Sequence, residues 1–189
     1  AEPVFAHKFG GSSLADAARF SHVAQLLAER DDPIQTVTVS AMRGVTDALI
    51  ALADSASSGG DWPTQLAGLR EQHQRTAQQL LGDGADATLA WLDAQFQDLS
   101  ALLAAIALLG PSGAAAKERV HGLGEVWSAQ LLAAALTRHG QEAVALDARE
   151  VLVIGRNELG IAVDWDTSAA RLAQWRASHP QGRIVITGF

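Results

Sequence analysis

Two spacings of apolar residues alternate along the chain. Short apolar runs at 3–9 (PVFAHKF), 34–41 (IQTVTVSA), 142–148 (EAVALDA) and 183–189 (RIVITGF) have the length and residue types of buried strands. Between them the spacing widens to that of helices. In 16–30, Phe20, Val23, Ala24 and Leu27 share one helical face, and 44–56 (GVTDALIALADSA) is helical too. SSGGDWP, 57–63, is a break. From 64 to 109 the pattern is helical, interrupted near LGDGAD, with Leu89, Leu92, Phe96, Leu99, Leu103 and Ile106 stepping by threes and fours. GPSG, 110–113, ends that stripe, and 114–139 is helical again, loosened in the middle by Gly122 and Gly124. VLVIG (151–155) and GIAVD (160–164) are short strand candidates around a polar turn. DTSAARLAQWRASH, 166–179, opens with an Asp/Thr/Ser cap signal for a helix.

Strands separated by helices predict an α/β fold with a mainly parallel sheet. The block 64–139 is long for a crossover and is expected to pack on one side as a layer or cap. No internal repeat or linker divides the chain. The last strand candidate runs to Phe189, and in parallel α/β folds ligands collect at the carboxyl ends of strands. A chain stopping there presents half a site, so we read it as a fragment; the alternative is a complete small domain with a terminal strand. It opens on Ala1 rather than Met, which implies a processed or cut start.

Composition narrows the chemistry. The net charge is −7 with no cluster of lysines or arginines, which argues against sequence-independent nucleic-acid binding. No apolar run reaches membrane-spanning length, LSALLAAIALLG being the richest, and no signal peptide is visible, so neither a membrane nor secretion is expected. With no cysteine there is no thiol nucleophile, disulfide or sulfur-based zinc cage, which suits the cytoplasm. The six histidines form no HxxxH or HxH pair, so no metal site is expected from them. The five tryptophans fall singly and are read as packing residues.

Three short stretches could carry chemistry. In KFGGSS, 8–13, Gly10 and Gly11 let backbone N–H groups approach a ligand, the next helix offers its positive end, and Lys8 adds a mobile charge. Together they suit a phosphate, although the lysine precedes the glycines and the motif is neither GxxxxGK[ST] nor GxGxxG; a tight connection is the alternative. SAMRGVTD, 40–47, ends a strand at Ser40 and starts a helix near Thr46, which an N-cap alone would also explain. HGLGEVWSAQLL, 121–132, places Glu125 between glycines and an apolar helix, where a carboxylate can hold a cation or ammonium or lie on a solvated surface.

The order of these stretches is more specific than any one of them. HKFGGSSLAD, VTVSAMRGVTDAL, GEVWSAQLL, LDARE and VITGF occur in a succession that resembles the aspartokinases of the amino-acid kinase superfamily, most of all the kinase part of bifunctional aspartokinase–homoserine dehydrogenases. The likeness covers essentially all 189 residues. It implies a three-layer α/β/α fold, with residues 1–189 as the N-terminal, acceptor-binding lobe. It implies transfer of the ATP γ-phosphate, with Mg²⁺, to the β-carboxylate of L-aspartate, giving 4-phospho-L-aspartate in a cytoplasmic homo-oligomer. In that family Lys8 would stabilise the transferred phosphoryl group; Gly10, Gly11, Ser12 and Ser13 would line the phosphate, and Ser40, Thr46 and Glu125 would bind aspartate.

Two features depart from the family. Met42 and Arg43 stand where small residues are common, and the glycine-rich LGRxGSD segment that follows VITGF in the family is absent, as are the nucleotide lobe and the regulatory and dehydrogenase domains. The chain alone is therefore expected to be inactive. Kinases of carbamate, glutamate or uridylate, and a non-catalytic binding or assembly module, are the alternatives.

Overall fold

The computed structural model describes residues 4–30, 34–110, 114–157, 160–180 and 182–188. Strand β1 (Val4–Phe9) leads through the KFGGSS turn to helix α1 (Ala17–Ala28), and β2 (Ile34–Val39) leads through SAMRG to α2 (Val45–Ser57). The helical block follows as α3 (Trp62–Leu81), a 3₁₀ turn at Gly82–Gly84, α4 (Asp86–Leu109), α5 (Ala114–His121) and α6 (Leu123–Arg138). Then come β3 (Ala143–Leu146), the single turn α7 (Ala148–Val151), β4 (Ile154–Asn157), β5 (Gly160–Val163), α8 (Trp165–Ser178) and β6 (Arg183–Thr187).

Four strands form one parallel sheet in the order β1-β2-β6-β3, so the α/β fold with a mainly parallel sheet holds. β4 and β5 pair only with each other, as an antiparallel hairpin. Alternation sets the two faces of the sheet. Val37, Val39 and Val185 are fully buried on the face that α6 covers, and Phe9 packs against the same core. On the opposite face Thr36, Thr38, Ile184 and Ile186 are half-buried.

The helical block is a layer built on one stripe. Leu92, Phe96, Leu99, Leu103 and Ile106 of α4 are all buried, against α2, α3 and α6. By length and composition alone α4 could cross a membrane, a point the shorter LSALLAAIALLG run did not show; here its stripe lies in the core. The break anticipated near Gly122 is complete: α5 stops at His121 and α6 begins at Leu123.

Several boundaries shift for local reasons. The strand expected at 142–148 stops at Leu146 because Asp147 turns the chain and caps α7, its carboxylate accepting the Arg149 N–H at 3.0 Å. Val151 therefore belongs to a helix, not to a strand. Tryptophan as a packing residue holds for Trp127, which is fully buried, and fails for Trp165, which is 71% exposed at the start of α8.

Candidate active site

All four parallel strands end on one rim, and backbone hydrogen bonds stitch that rim together. The Ser40 N–H donates to the Phe9 carbonyl at 3.1 Å, joining the ends of β1 and β2. The Gly188 N–H donates to the Val39 carbonyl at 2.9 Å, joining β6 to β2. The Ala148 N–H donates to the buried Thr187 hydroxyl at 2.9 Å, joining β6 to the turn after β3. Gly188 is required for this closeness: a β-carbon on it would lie 2.5 Å from Thr38 Cγ2. Thr187 and Gly188 are thus parts of the rim that sequence reasoning passed over, although a glycine directly after a β-branched strand signals such an approach.

The KFGGSS turn lies over the SAMRG turn. A β-carbon on Gly11 would sit 3.0 Å from the Ala41 carbonyl oxygen, whereas one on Gly10 would meet nothing within 4 Å. The two glycines therefore differ: Gly11 admits a neighbouring loop, and Gly10 faces open space. Helix α1 starts at Ala17, and Asp16 caps it by accepting the Arg19 N–H at 2.9 Å. Of the hydroxyls in the KFGGSS turn, Ser12 is exposed and Ser13 half-buried.

Lys8 is exposed, paired in register with Thr38. Alternation puts it on the half-buried face of the sheet, opposite Phe9. Neither Ser40 nor Thr46 is a helix cap. The N-cap of α2 is Gly44, in the left-handed region at φ 78°, and both Ser40 and Thr46 are half-buried at the rim. Met42, the departure from the family pattern, is 2% exposed, packs into the core and accepts the Val45 N–H at 3.0 Å. Its neighbour Arg43 is exposed.

Glu125 is not a surface residue. It is 8% exposed, in the first turn of α6, on the other side of the sheet from Lys8. Burial pushes its carboxyl above the ordinary carboxylate range, while the N–H groups of Glu125 and Ala41 and the charge of Arg149 pull the other way. Oε2 is buried with no hydrogen-bond partner. A buried carboxylate oxygen left in this state carries a desolvation cost that no hydrogen bond offsets. Arg149 is held by Asp147, with Nε at 2.9 and 3.0 Å and Nη2 at 2.6 Å from the carboxylate. Among the described residues no three His, Cys, Asp or Glu side chains cluster as a metal cage.

A model of the amino acid kinase family matches residues 3–189. Bifunctional aspartokinase/homoserine dehydrogenase 1, chloroplastic, of Arabidopsis thaliana is 37% identical over 186 residues, which are 97% of this chain and 20% of that protein. Bifunctional aspartokinase/homoserine dehydrogenase 2 of Escherichia coli is 36% identical over 188 residues, covering 97% of this chain and 22% of that one. The chain thus spans about a fifth of the length of these relatives. Among solved structures, E. coli aspartokinase III in complex with lysine and aspartate superposes with a TM-score of 0.83 at 23% identity, over all of this chain and 41% of that one. The same enzyme with aspartate and ADP gives a TM-score of 0.79 at 22% identity, over 99% of this chain and 41% of that one.

Proposed function

The chain belongs to the amino acid kinase family, and from that premise we propose that it is the acceptor-binding lobe of an aspartate kinase. In this reading the intact enzyme transfers the ATP γ-phosphate to the β-carboxylate of L-aspartate, early in amino-acid biosynthesis. A homoserine dehydrogenase follows in the same polypeptide, as in the relatives, and the enzyme is a cytoplasmic homo-oligomer.

The observation that carries the reading is the buried, half-satisfied carboxylate of Glu125 at the carboxyl rim of a parallel sheet. An ammonium group beside this carboxylate offsets the cost of keeping it charged. Aspartate carries such a group; carbamate and a nucleoside monophosphate do not. Lys8 approaches the same rim from the other face of the sheet, so one substrate can lie across the rim with its amino end toward Glu125 and its reacting end toward Lys8.

The chemistry asked of these residues is positioning and charge neutralisation. The acceptor carboxylate is already ionised near neutrality, so no general base is needed. Lys8 meets the negative charge that builds on the transferred phosphoryl group, and the open backbone at Gly10 and the hydroxyls of Ser12, Ser13, Ser40 and Thr46 supply hydrogen bonds around it. Mg²⁺ accompanies ATP and neutralises phosphate charge. Most of the nucleotide contacts belong to the second lobe of the family fold, so residues 1–189 alone are expected to be inactive.

The test is a hydroxamate assay with ATP, Mg²⁺ and L-aspartate. The intact protein should give aspartyl hydroxamate, and residues 1–189 alone should give none. Activity on glutamate or carbamate in place of aspartate would overturn the acceptor assignment, and robust turnover by residues 1–189 would overturn the division of the site into two lobes.

A further inference from the structure

The SAMRG turn after β2 anchors its residues unequally. Ala41 and Met42 are buried in the core, whereas Arg43, the next residue, is exposed. The Met42 carbonyl accepts the Val45 N–H, and Gly44 takes the left-handed backbone, so the chain is tied down on either side of Arg43. The turn therefore holds the root of one long cationic side chain still and leaves its charged end in solvent.

That root lies against the KFGGSS turn. A β-carbon on Gly11 would be 3.5 Å from the Arg43 backbone nitrogen and 3.6 Å from its Cα. Where the start of α6 approaches the same turn, the atoms nearest a β-carbon on Gly124 belong to Ala41, Val45 and Leu49 instead. Arg43 is thus on the glycine side of the rim, and Glu125, next to Gly124, follows the other side. Lys8 opens the same KFGGSS stretch and is exposed as well. Two exposed cations, one from the end of β1 and one from the turn after β2, therefore border the open backbone at Gly10.

Other cations of the chain are spoken for. Arg149 is bound to Asp147, Arg70 to Asp93 and Lys117 to Asp54. Among the described residues Arg43 forms no hydrogen bond and no ion pair, not even with Asp47 in the first turn of α2. Its guanidinium is a planar fork of donors matched to phosphate oxygens, whereas Lys8 is a point charge. A nucleoside triphosphate stays negative after Mg²⁺ binds, and an attacking carboxylate adds to that charge. One lysine offsets only part of the repulsion, and a second cation at the same turn offsets more.

We propose that Arg43 is a substrate-binding residue that holds oxygens of the ATP γ-phosphate from the turn after β2, while Lys8 meets the same group from β1. Arginine at a position where small residues are common in the family then adds a cation to the phosphate side of the rim. The proposal deepens the aspartate kinase reading and rests on it for the reaction, but the contact itself can be measured by nucleotide binding alone.

The test uses the intact protein, Arg43→Gln and Arg43→Lys, each titrated calorimetrically with the non-hydrolysable analogue β,γ-imido-ATP and with ADP, both with Mg²⁺. Arg43→Gln should weaken imido-ATP about tenfold and ADP less than about twofold, the lower end of the range for a charged hydrogen bond because the site is exposed. Arg43→Lys keeps the charge and loses the fork, so it should fall between the parent and Arg43→Gln. In steady-state assays the KM for ATP should rise with the same ranking and the KM for aspartate should not. Equal affinity of the parent and Arg43→Gln for imido-ATP, as a solvated surface arginine predicts, overturns the proposal. So does a loss shared equally by ADP, or a rise confined to the KM for aspartate. A protein that binds imido-ATP through Arg43 but does not phosphorylate aspartate overturns the acceptor assignment and leaves the Arg43 contact standing. An active aspartate kinase indifferent to Arg43→Gln overturns the contact alone.

Discussion

Gly124 and Ala41 are in such close contact that a β-carbon built on the glycine would lie 2.6 Å from the Ala41 β-carbon and 2.9 Å from Val45 Cγ1. The start of α6 is thereby pressed onto the turn that follows β2, and Glu125, the next residue, gains the Ala41 N–H. Neither Ala41 nor Val45 is a flexible side-chain end that can swing aside. Gly124→Ala should therefore lower stability by about 1–3 kcal/mol, the usual cost of overpacking, and raise the KM for aspartate. Gly68→Ala is the control. Gly68 sits inside α3 with nothing within 4 Å, so the same substitution should stabilise by roughly 0.5–1 kcal/mol. Urea midpoints for the two variants check both signs.

Lys8 is the cation at the end of β1 and is exposed, so its loss should not disturb folding. In the intact enzyme Lys8→Met should lower kcat roughly a hundredfold to a thousandfold, the usual effect of removing one preorganised charge contact from a transition state. The melting curve should not move. A near-normal kcat would take Lys8 out of the mechanism.

Glu125 should give the KM for aspartate a pH dependence. Its carboxyl titrates above the ordinary range because it is buried, and only the ionised form can hold an ammonium group. A proton therefore competes with aspartate, and KM should fall as the pH rises through that raised value. Glu125→Gln should flatten this limb and raise KM at neutral pH about tenfold to a hundredfold, as expected for losing a charged hydrogen bond of ~1.5–3 kcal/mol. The KM for ATP should change less. Steady-state kinetics with each substrate varied in turn separates this from a purely structural role, which would move both constants or neither.

His73 should make the fold sensitive to mild acid. It is fully buried between Phe96 and Trp127, and its Nδ1–H donates to the Leu69 carbonyl at 2.8 Å. Burial lowers its pKa from 6.5 to about 4. Between those values the unfolded chain takes up a proton that the folded one refuses. The contribution is complete above the unfolded value and is lost as the pH falls through this window, by about 2 kcal/mol at pH 5 and about 3 kcal/mol in full. Urea titrations at pH 7 and pH 5 should show a loss in the parent protein that is smaller by that amount in His73→Phe. Equal losses in the two proteins would assign the acid sensitivity elsewhere.

Much of the architecture was legible because periodicity reports burial directly. The four sheet strands and the α4 stripe follow from residues such as Val37, Val39, Leu92 and Phe96, whose spacing is that of one buried face. Strand ends were harder to read, since Asp147 ends β3 through a side-chain cap that outweighs the apolar run. The site was readable as candidate residues and not as geometry. Nothing in KFGGSS distinguishes Gly11, which fits the Ala41 carbonyl, from Gly10, which faces open space. Nothing in the run of apolar residues shows that α1 waits until Ala17, where Asp16 caps it. Burial of Glu125 depends on Ala41, some eighty residues earlier, and long-range contacts of that kind leave no periodic trace in one sequence. His73 likewise looks like any polar residue on α3 until Phe96 and Trp127 close over it.

The position of β6 in the sheet has a consequence for biosynthesis. It is the last strand in chain order, yet it lies between β2 and β3, with Val37 and Val185 as register partners. As the polypeptide leaves the ribosome, β1 and β2 can pair early, but β2 and β3 have no common neighbour until 183–187 emerge. The facing edge of β2 stays open through translation of the whole helical block, and that of β3 until β6 emerges, offering unpaired backbone to any other extended chain. Such distant pairing also makes sheet closure slow. Helices α1 to α6, all translated before β3, can assemble first, leaving a slot into which β6 is threaded. Chaperone dependence and loss to aggregation should therefore be concentrated in nascent chains that have not yet released β6.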